Sequence, residues 1–203
     1  MDRTHTQTRG LVLLAIQLAC WACALGLDPS LDVSQYAHTA WRIRDGFSKG
    51  IIFAIAQTPD GYLWLGTDFG LLRFDGVKAV PWQPPTGEHL PGGPVRRLFV
   101  ARDGTLWVGT TTGLASWKNG KLTERPELAG RQVAALLEDR EGTIWVGTGH
   151  VNVSEIPGRL CAIQAGNVHC YGEDGSLGQE VYSLYEDTTG NLWTGSATGL
   201  WQC

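Results

Sequence analysis

The stretch DGYLWLGT at residues 60–67 returns as DGTLWVGT at 103–110, as EGTIWVGT at 141–148 and as TGNLWTGS at 189–196. Four copies of one short strand behind the same glycine turn make the chain an array. The tryptophans at 64, 107, 145 and 193 are 43, 38 and 48 positions apart. That period suits a unit of four short strands and is generous for a leucine-rich or helical repeat. The unit is read as a propeller blade.

Each copy has the same internal grammar. Twelve residues before the tryptophan a hydrophobic run begins, at Ile52, Val95, Val133 and Val181, reading IFAIAQ, VRRLFV, VAALLE and VYSLYE. Their β-branched and aromatic content predicts buried inner strands. The turns at Asp60-Gly61, Asp103-Gly104, Glu141-Gly142 and Thr189-Gly190 put glycine where a tight hairpin needs positive φ. A second strand carries the tryptophan and then a glycine that permits close backbone approach. Gly70-Leu71, Gly113-Leu114 and Gly199-Leu200 each follow that glycine by four residues, and a third strand continues in LLRFDG and LASWKNG. Asp75-Gly76 and Asn119-Gly120 signal the turn into a fourth. Helix-period patterning is absent after residue 30. The expected fold is therefore all-β, a β-propeller of four-stranded antiparallel blades at about 51–82, 95–124, 133–171 and 181–203. The last blade is expected to be incomplete, and a lead-in with one strand is expected at 27–50.

A recurring tryptophan rather than leucine has a physical reason. Neighbouring blades pack face to face, and one indole buries roughly 150–250 Å² across such a seam. Trp64, Trp107, Trp145 and Trp193 are read as blade-packing residues, with carbohydrate stacking as the alternative. Trp41, Trp82, Trp117 and Trp201 lie off the register, and nothing in the sequence selects one of them as an exposed stacking platform.

DGYLWLGT followed by GLLRFDG, then DGTLWVGT followed by GLASWKNG, resembles the two-component regulator propeller repeats of bacterial extracytoplasmic sensors. The lead-in YAHTAWRIRDGFSKGIIFAI at 36–55 is also similar to the segment ahead of the first repeat in such proteins. The resemblance covers residues 30–203. It implies a large propeller that precedes an immunoglobulin-like domain, a membrane helix and a cytoplasmic histidine kinase or another output module. It also implies a homodimer of the longer protein.

The N-terminus sets the expected compartment. Arg3, His5 and Arg9 precede an apolar stretch from Leu11 to Leu25, with small residues at Ala24 and Gly26. That is the layout of a secretory signal peptide at 1–26, in helical form, and it is short for a membrane span. A lipoprotein anchor at Cys20 or Cys23 and retention as an uncleaved anchor are the alternatives. The mature chain is then expected to be periplasmic. Its removal takes away Asp2, Arg3 and Arg9, so the formal charge moves from −4 to −5. A mildly acidic chain without a basic cluster offers little to a phosphate backbone, so no nucleic-acid partner is expected.

Cys161, Cys170 and Cys203 remain outside the leader. In CAIQAGNVHC, a hairpin turning at Ala165-Gly166 sets Cys161 opposite Cys170 at a non-hydrogen-bonded pair, with Cα atoms about 4.5 Å apart, within disulfide range. A cross-strand disulfide is one reading and two unpaired buried thiols the other. The fourth copy stops where its third strand should still be running. Either the chain is part of a longer protein, or Trp41-Arg42-Ile43 supplies the missing strand and closes a ring of four.

The third copy departs from the pattern. Its strand glycine, Gly147, precedes Gly158-Arg159-Leu160 by eleven residues rather than four, an insertion of seven. The loop GHVNVSEIP joins the second and third strands, and in propellers that connection and the one between blades share a face. Recognition is commonly carried by loops on a rigid scaffold. His150, Asn152, Ser154 and Glu155 become ligand-contact candidates, with Glu88 and His89 in the first inter-blade connection as secondary ones; a plain solvated loop is the alternative. Asn152-Val153-Ser154 fits a glycosylation sequon, which a bacterial source would make accidental.

Catalytic constellations are thin. His38, His89, His150 and His169 lack metal-ligand spacing, and there is no nucleophile elbow or phosphate loop, so no catalytic residue, metal or cofactor is expected. Asp60, Asp103 and Glu141 are read as turn-stabilising carboxylates. The favoured function is a sensor propeller of a two-component signal transduction protein, binding a small molecule or oligosaccharide and tied to the membrane through a downstream helix. The alternatives are a secreted propeller lyase or hydrolase and a protein-interaction scaffold.

Overall fold

The computed structural model describes residues 39–42, 47, 50–85, 87–149 and 157–203. They fall into two units, Met1–Trp41 and Arg42–Cys203, and every strand belongs to the second. The expected signal-peptide helix at 1–26 lies outside the described residues. In the lead-in, residues 39–42, 47 and 50 lie in no strand, so the strand expected there is not found among the described residues. Among the described residues, no helix is long and apolar enough to cross a membrane.

Among the described residues, fifteen strands form four antiparallel sheets, accompanied by one turn of 3₁₀ helix at Pro126–Leu128. Sheet 1 comprises β1 (Ile52–Gln57), β2 (Leu63–Thr67), β3 (Gly70–Phe74) and β4 (Ala79–Pro81). Sheet 2 comprises β5 (Val95–Val100), β6 (Leu106–Thr110), β7 (Leu114–Lys118) and β8 (Lys121–Glu124). Sheet 3 comprises β9 (Gln132–Glu138), β10 (Ile144–Gly149), β11 (Leu160–Gln164) and β12 (Asn167–Tyr171). Sheet 4 has three strands, β13 (Val181–Glu186), β14 (Leu192–Ser196) and β15 (Gly199–Gln202). In each sheet the strands pair in sequence order, and the innermost strands β1, β5, β9 and β13 each touch the next, so the sheets stand side by side like blades.

Three apolar clusters fill the three seams. Trp64 and Leu71 of sheet 1 meet Val95, Leu106 and Val108 of sheet 2; Trp107 and Leu114 meet Val133, Ile144, Val146 and Ile163; Leu160 meets Val181 and Leu192. The strand glycine is where the neighbouring sheet comes in. A Cβ on Gly66 would lie 2.7 Å from Val95, one on Gly109 2.6 Å from Val133, and one on Gly147 2.6 Å from the Val181 carbonyl oxygen. Trp82 and Trp117, off the register in sequence, stack edge-on in the first seam at 5.0 Å, and Trp201 packs in the third, whereas Trp41 is 44% exposed.

The inner strands are not uniformly buried, contrary to the reading of their composition. Ile55 is 63% exposed and Tyr182 and Tyr185 are exposed as well. A strand has two faces, and sheets 1 and 4 each have one neighbouring sheet among the described residues. Ile55 sits on the face of sheet 1 turned away from sheet 2, and Tyr185 on the face of sheet 4 turned away from sheet 3. Leu200 is 69% exposed on that same face of sheet 4, although its equivalents Leu71, Leu114 and Leu160 are buried.

Candidate functional site

The loops divide between two ends of the sheets. At one end lie the β2–β3 type turns and the connections between sheets. Thr112 Oγ1 donates to the Gly92 carbonyl at 2.6 Å, Thr111 N to Pro94 O at 3.2 Å, and Gly130 N to Thr112 O at 2.7 Å, so the turn of sheet 2 is bonded to the connections before and after it. In sheet 3 the connection is tied the same way, with Gly158 N donating to Gly178 O at 2.9 Å and Arg159 paired with Glu173 at 2.9 Å. In sheets 1 to 3 the turn is closed by the threonine that ends the repeat. The hydroxyls of Thr67, Thr110 and Thr148 are buried and donate to the carbonyls of Gly70, Gly113 and Arg159.

The insertion in sheet 3 enters at this end without disturbing the ladder. Gly147 pairs with Leu160 just as Gly66 pairs with Leu71 and Gly109 with Leu114, so the insertion is one residue longer than the spacing predicts and Arg159, not Gly158, stands where Gly70 and Gly113 do. His150, Asn152, Ser154 and Glu155 lie outside the described residues; the loop bearing them leaves after Gly149 and returns at Pro157. Glu88 makes a contact within the propeller. Its carboxylate accepts from Leu122 N at 2.9 Å, covering part of the outer edge strand β8, as edge strands generally need. His89 is exposed on the same connection.

The other end carries the β1–β2 type turns, and here a function of the register tryptophans emerges that their spacing alone does not show. The indole N–H donates to the residue six positions earlier: Trp64 to Thr58 at 2.8 Å, Trp145 to Asp139 at 2.7 Å and Trp193 to Asp187 at 2.9 Å. Each indole except that of sheet 4 is also covered by the residue that lies opposite the repeat leucine, just past the outer strand in sheets 1 and 2 and at its last position in sheet 3. Trp82 meets Trp64 edge-on at 5.6 Å, the Arg125 guanidinium lies 5.3 Å from the Trp107 ring centroid, and Tyr171 stacks on Trp145 at 6.4 Å.

The turn carboxylate is not the expected one throughout. Asp60 and Asp103 accept from the turn amides of Tyr62 and Thr105. In sheets 3 and 4 that work passes to Asp139 and Asp187, which bind the amides of Glu141 and Thr143 and of Thr189 and Asn191 while also accepting from the indole. Glu141 donates its amide and offers no carboxylate to the turn. The physical reason is reach: one carboxylate at the earlier position can serve turn and tryptophan together. Burial disfavours the charged form of Asp139, but the hydrogen bonds from Trp145, Thr143 and Glu141 outweigh it and hold its carboxyl below the usual value. The Trp193 indole, with Thr189 and Asn191, does the same for Asp187.

At this end an arginine also reaches from one sheet to the next. Arg102 pairs with Glu138 at 3.2 Å and donates to the carbonyls of Asp139 and Arg140. Arg140 pairs with Glu186 at 2.6 Å and donates to the carbonyl of Asp187, also at 2.6 Å. Cys161 and Cys170 face each other across β11 and β12, with Cα atoms 4.0 Å apart, and are joined as a disulfide. Among the described residues no group of His, Cys, Asp or Glu is arranged to hold a metal ion.

The sequence profile described as two component regulator propeller matches four times, at residues 46–69, 89–112, 127–150 and 175–198, each match ending two residues beyond the close of the repeated motif at Thr67, Thr110, Thr148 or Ser196. The chain belongs to the two component regulator propeller family. No curated protein matches this propeller chain in sequence. Among solved structures it is similar to the extracellular domain of BT4673 from B. thetaiotaomicron, described as a one component system, at 23% identity and a TM-score of 0.58, over 74% of this chain and 20% of that one. It is also similar to PorZ, a surface component of the type-IX secretion system of Porphyromonas gingivalis, at 17% identity and a TM-score of 0.55, over 73% of this chain and 24% of that one. The regulator propeller chain thus spans about a fifth to a quarter of the length of these proteins. At such identities the likeness establishes the shared fold.

Proposed function

We propose that this chain is the N-terminal part of a ligand-binding sensor propeller in an extracytoplasmic signal transduction protein, with the output module elsewhere in a longer polypeptide. The observation that carries the reading is the fourfold match to two component regulator propeller repeats. The likeness to an extracellular domain of a one component system supports it, as does a disulfide suited to an oxidising compartment such as the periplasm. The ligand, a small molecule or oligosaccharide, binds at the end of the sheets that carries the connections, with His150, Asn152, Ser154 and Glu155 of the insertion and His89 of the first connection as its contacts. Binding there shifts the population of a signalling state. A histidine kinase is the output, reached through a membrane helix in a homodimer.

The test uses the longer protein in its own cell. Replacing His150, Asn152 and Glu155 together by alanine is expected to abolish the ligand response while leaving thermal stability unchanged. An unaltered response rejects that site, and a response that survives deletion of the whole repeat region rejects sensing by the propeller.

A further inference from the structure

Sheet 2 departs from its neighbours at two equivalent positions, and both departures border one cavity. Where the other sheets place Thr58, Asp139 and Asp187 to accept from the indole, sheet 2 places Ala101, and the Trp107 N–H has no partner among the described residues. Trp107 is only 5% exposed. Where sheets 1 and 3 cover the indole with Trp82 and Tyr171, sheet 2 uses Arg125, whose Nε is buried and likewise unpartnered. A buried donor without an acceptor is strongly unfavourable, and here two stand side by side.

Between sheets 2 and 3 lies a cavity of about 750 Å³ lined by Ala101, Trp107, Ser116, Arg125, Ile144 and Ile163. It opens among the turns at Asn119, Gly142 and Ala165-Gly166, at the end of the sheets opposite the connections. Its two carboxylates are already engaged, Asp103 by Lys118 at 2.5 Å and Glu138 by Arg102. Its cations Lys121 and Arg125 form no ion pair among the described residues. The unmet demand is therefore for acceptors and negative charge at one end of a space whose other wall is apolar. A void of this size exceeds what one or two bridging waters would fill.

We propose that this cavity binds a small organic carboxylate. The anion accepts from Trp107 Nε1–H and the Arg125 guanidinium, and the apolar body lies against Ile144 and Ile163. Charge-assisted hydrogen bonds of this kind are the strong ones. The site is separate from the connection end and stands whether or not ligand sensing occurs there.

Benzoate is a suitable probe and benzyl alcohol its neutral counterpart. In the full chain carrying ¹⁵N-labelled tryptophan, the Trp107 indole resonance is expected to move saturably with benzoate, and to respond roughly tenfold more weakly to benzyl alcohol. Arg125→Gln should weaken benzoate binding by about tenfold or more. Ala101→Asp supplies the acceptor that sheets 3 and 4 already have and should remove the response while melting temperature holds or rises. Should that variant fail to fold, Ala101→Thr, which copies sheet 1, takes its place. The proposal is overturned by a Trp107 resonance that benzoate does not move, by equal responses to benzoate and benzyl alcohol, or by binding that survives in both folded variants.

Discussion

At the scale of single residues, the four register tryptophans share one demand, an acceptor for a buried or half-buried indole N–H, and meet it differently. Thr58, Asp139 and Asp187 answer it and Ala101 does not. The letters at that position differ, so no repeated motif reveals their common task, whereas the tryptophans themselves are legible because one bulky residue has no substitute in a seam. Asp103 illustrates how a turn carboxylate depends on acidity. The Lys118 ammonium, followed by the Thr105 hydrogen bond, lowers its carboxyl from 3.8 to about 2. As pH falls below 3.8 the unfolded chain takes up a proton that the folded chain still refuses. The stability contributed, fully present above that value, is therefore lost as pH descends to about 2. Both partners are well exposed, so the amount is small, about 0.2–1 kcal/mol. Asp103→Asn should make the decline of melting temperature over that window shallower, although Asp139 and Asp187 contribute with the same sign. A decline as steep as in the parent protein would exclude Asp103 as a contributor.

At the scale of elements, hairpins were the most readable feature. A two-residue turn sets its strand register, so CAIQAGNVHC leads straight to the pairing of Cys161 with Cys170 once Ala165-Gly166 is taken as the turn. The turn is nevertheless imperfect: Ala165 adopts φ 48°, as Asn119 does at 50° in the equivalent turn of sheet 2, and alanine is the poorer fit. Ala165→Asn should raise the denaturant midpoint, by about 0.5–1 kcal/mol in stability; a lower midpoint would contradict the strain assigned to this position. Less legible were the arginine clamps, because Arg102 and Glu138 are separated by 36 positions and neither belongs to a local pattern. Burial of the inner strands was overread for a related reason: composition reports what a strand can bury, while its two faces depend on which sheets flank it, as Ile55 and Tyr185 show. The insertion was visible as a broken interval, but spacing says nothing of what 150–156 contact.

At the scale of the molecule, stability resides in seams between sheets, and each seam rests on a glycine with a valine pressed against it. A Cβ on Gly109 would come within 2.6 Å of Val133 and 3.2 Å of Arg97, so Gly109→Ala is expected to cost about 1–3 kcal/mol of unfolding free energy. Adding Val133→Ala should recover part of that loss; strictly additive losses in urea unfolding would show that the two positions do not meet. The repeat interval made these contacts readable in principle, since Gly66, Gly109 and Gly147 meet Val95, Val133 and Val181 in turn. The clamps add a direction to the row. Sheet 1 offers Pro59 where sheets 2 and 3 offer arginine, and sheet 2 receives with Val100 where sheets 3 and 4 receive with glutamate. Among the four described sheets only the third holds both hook and eye, Arg140 and Glu138, so of these four it is the unit that a tandem gene duplication could copy in place without creating a mismatched joint.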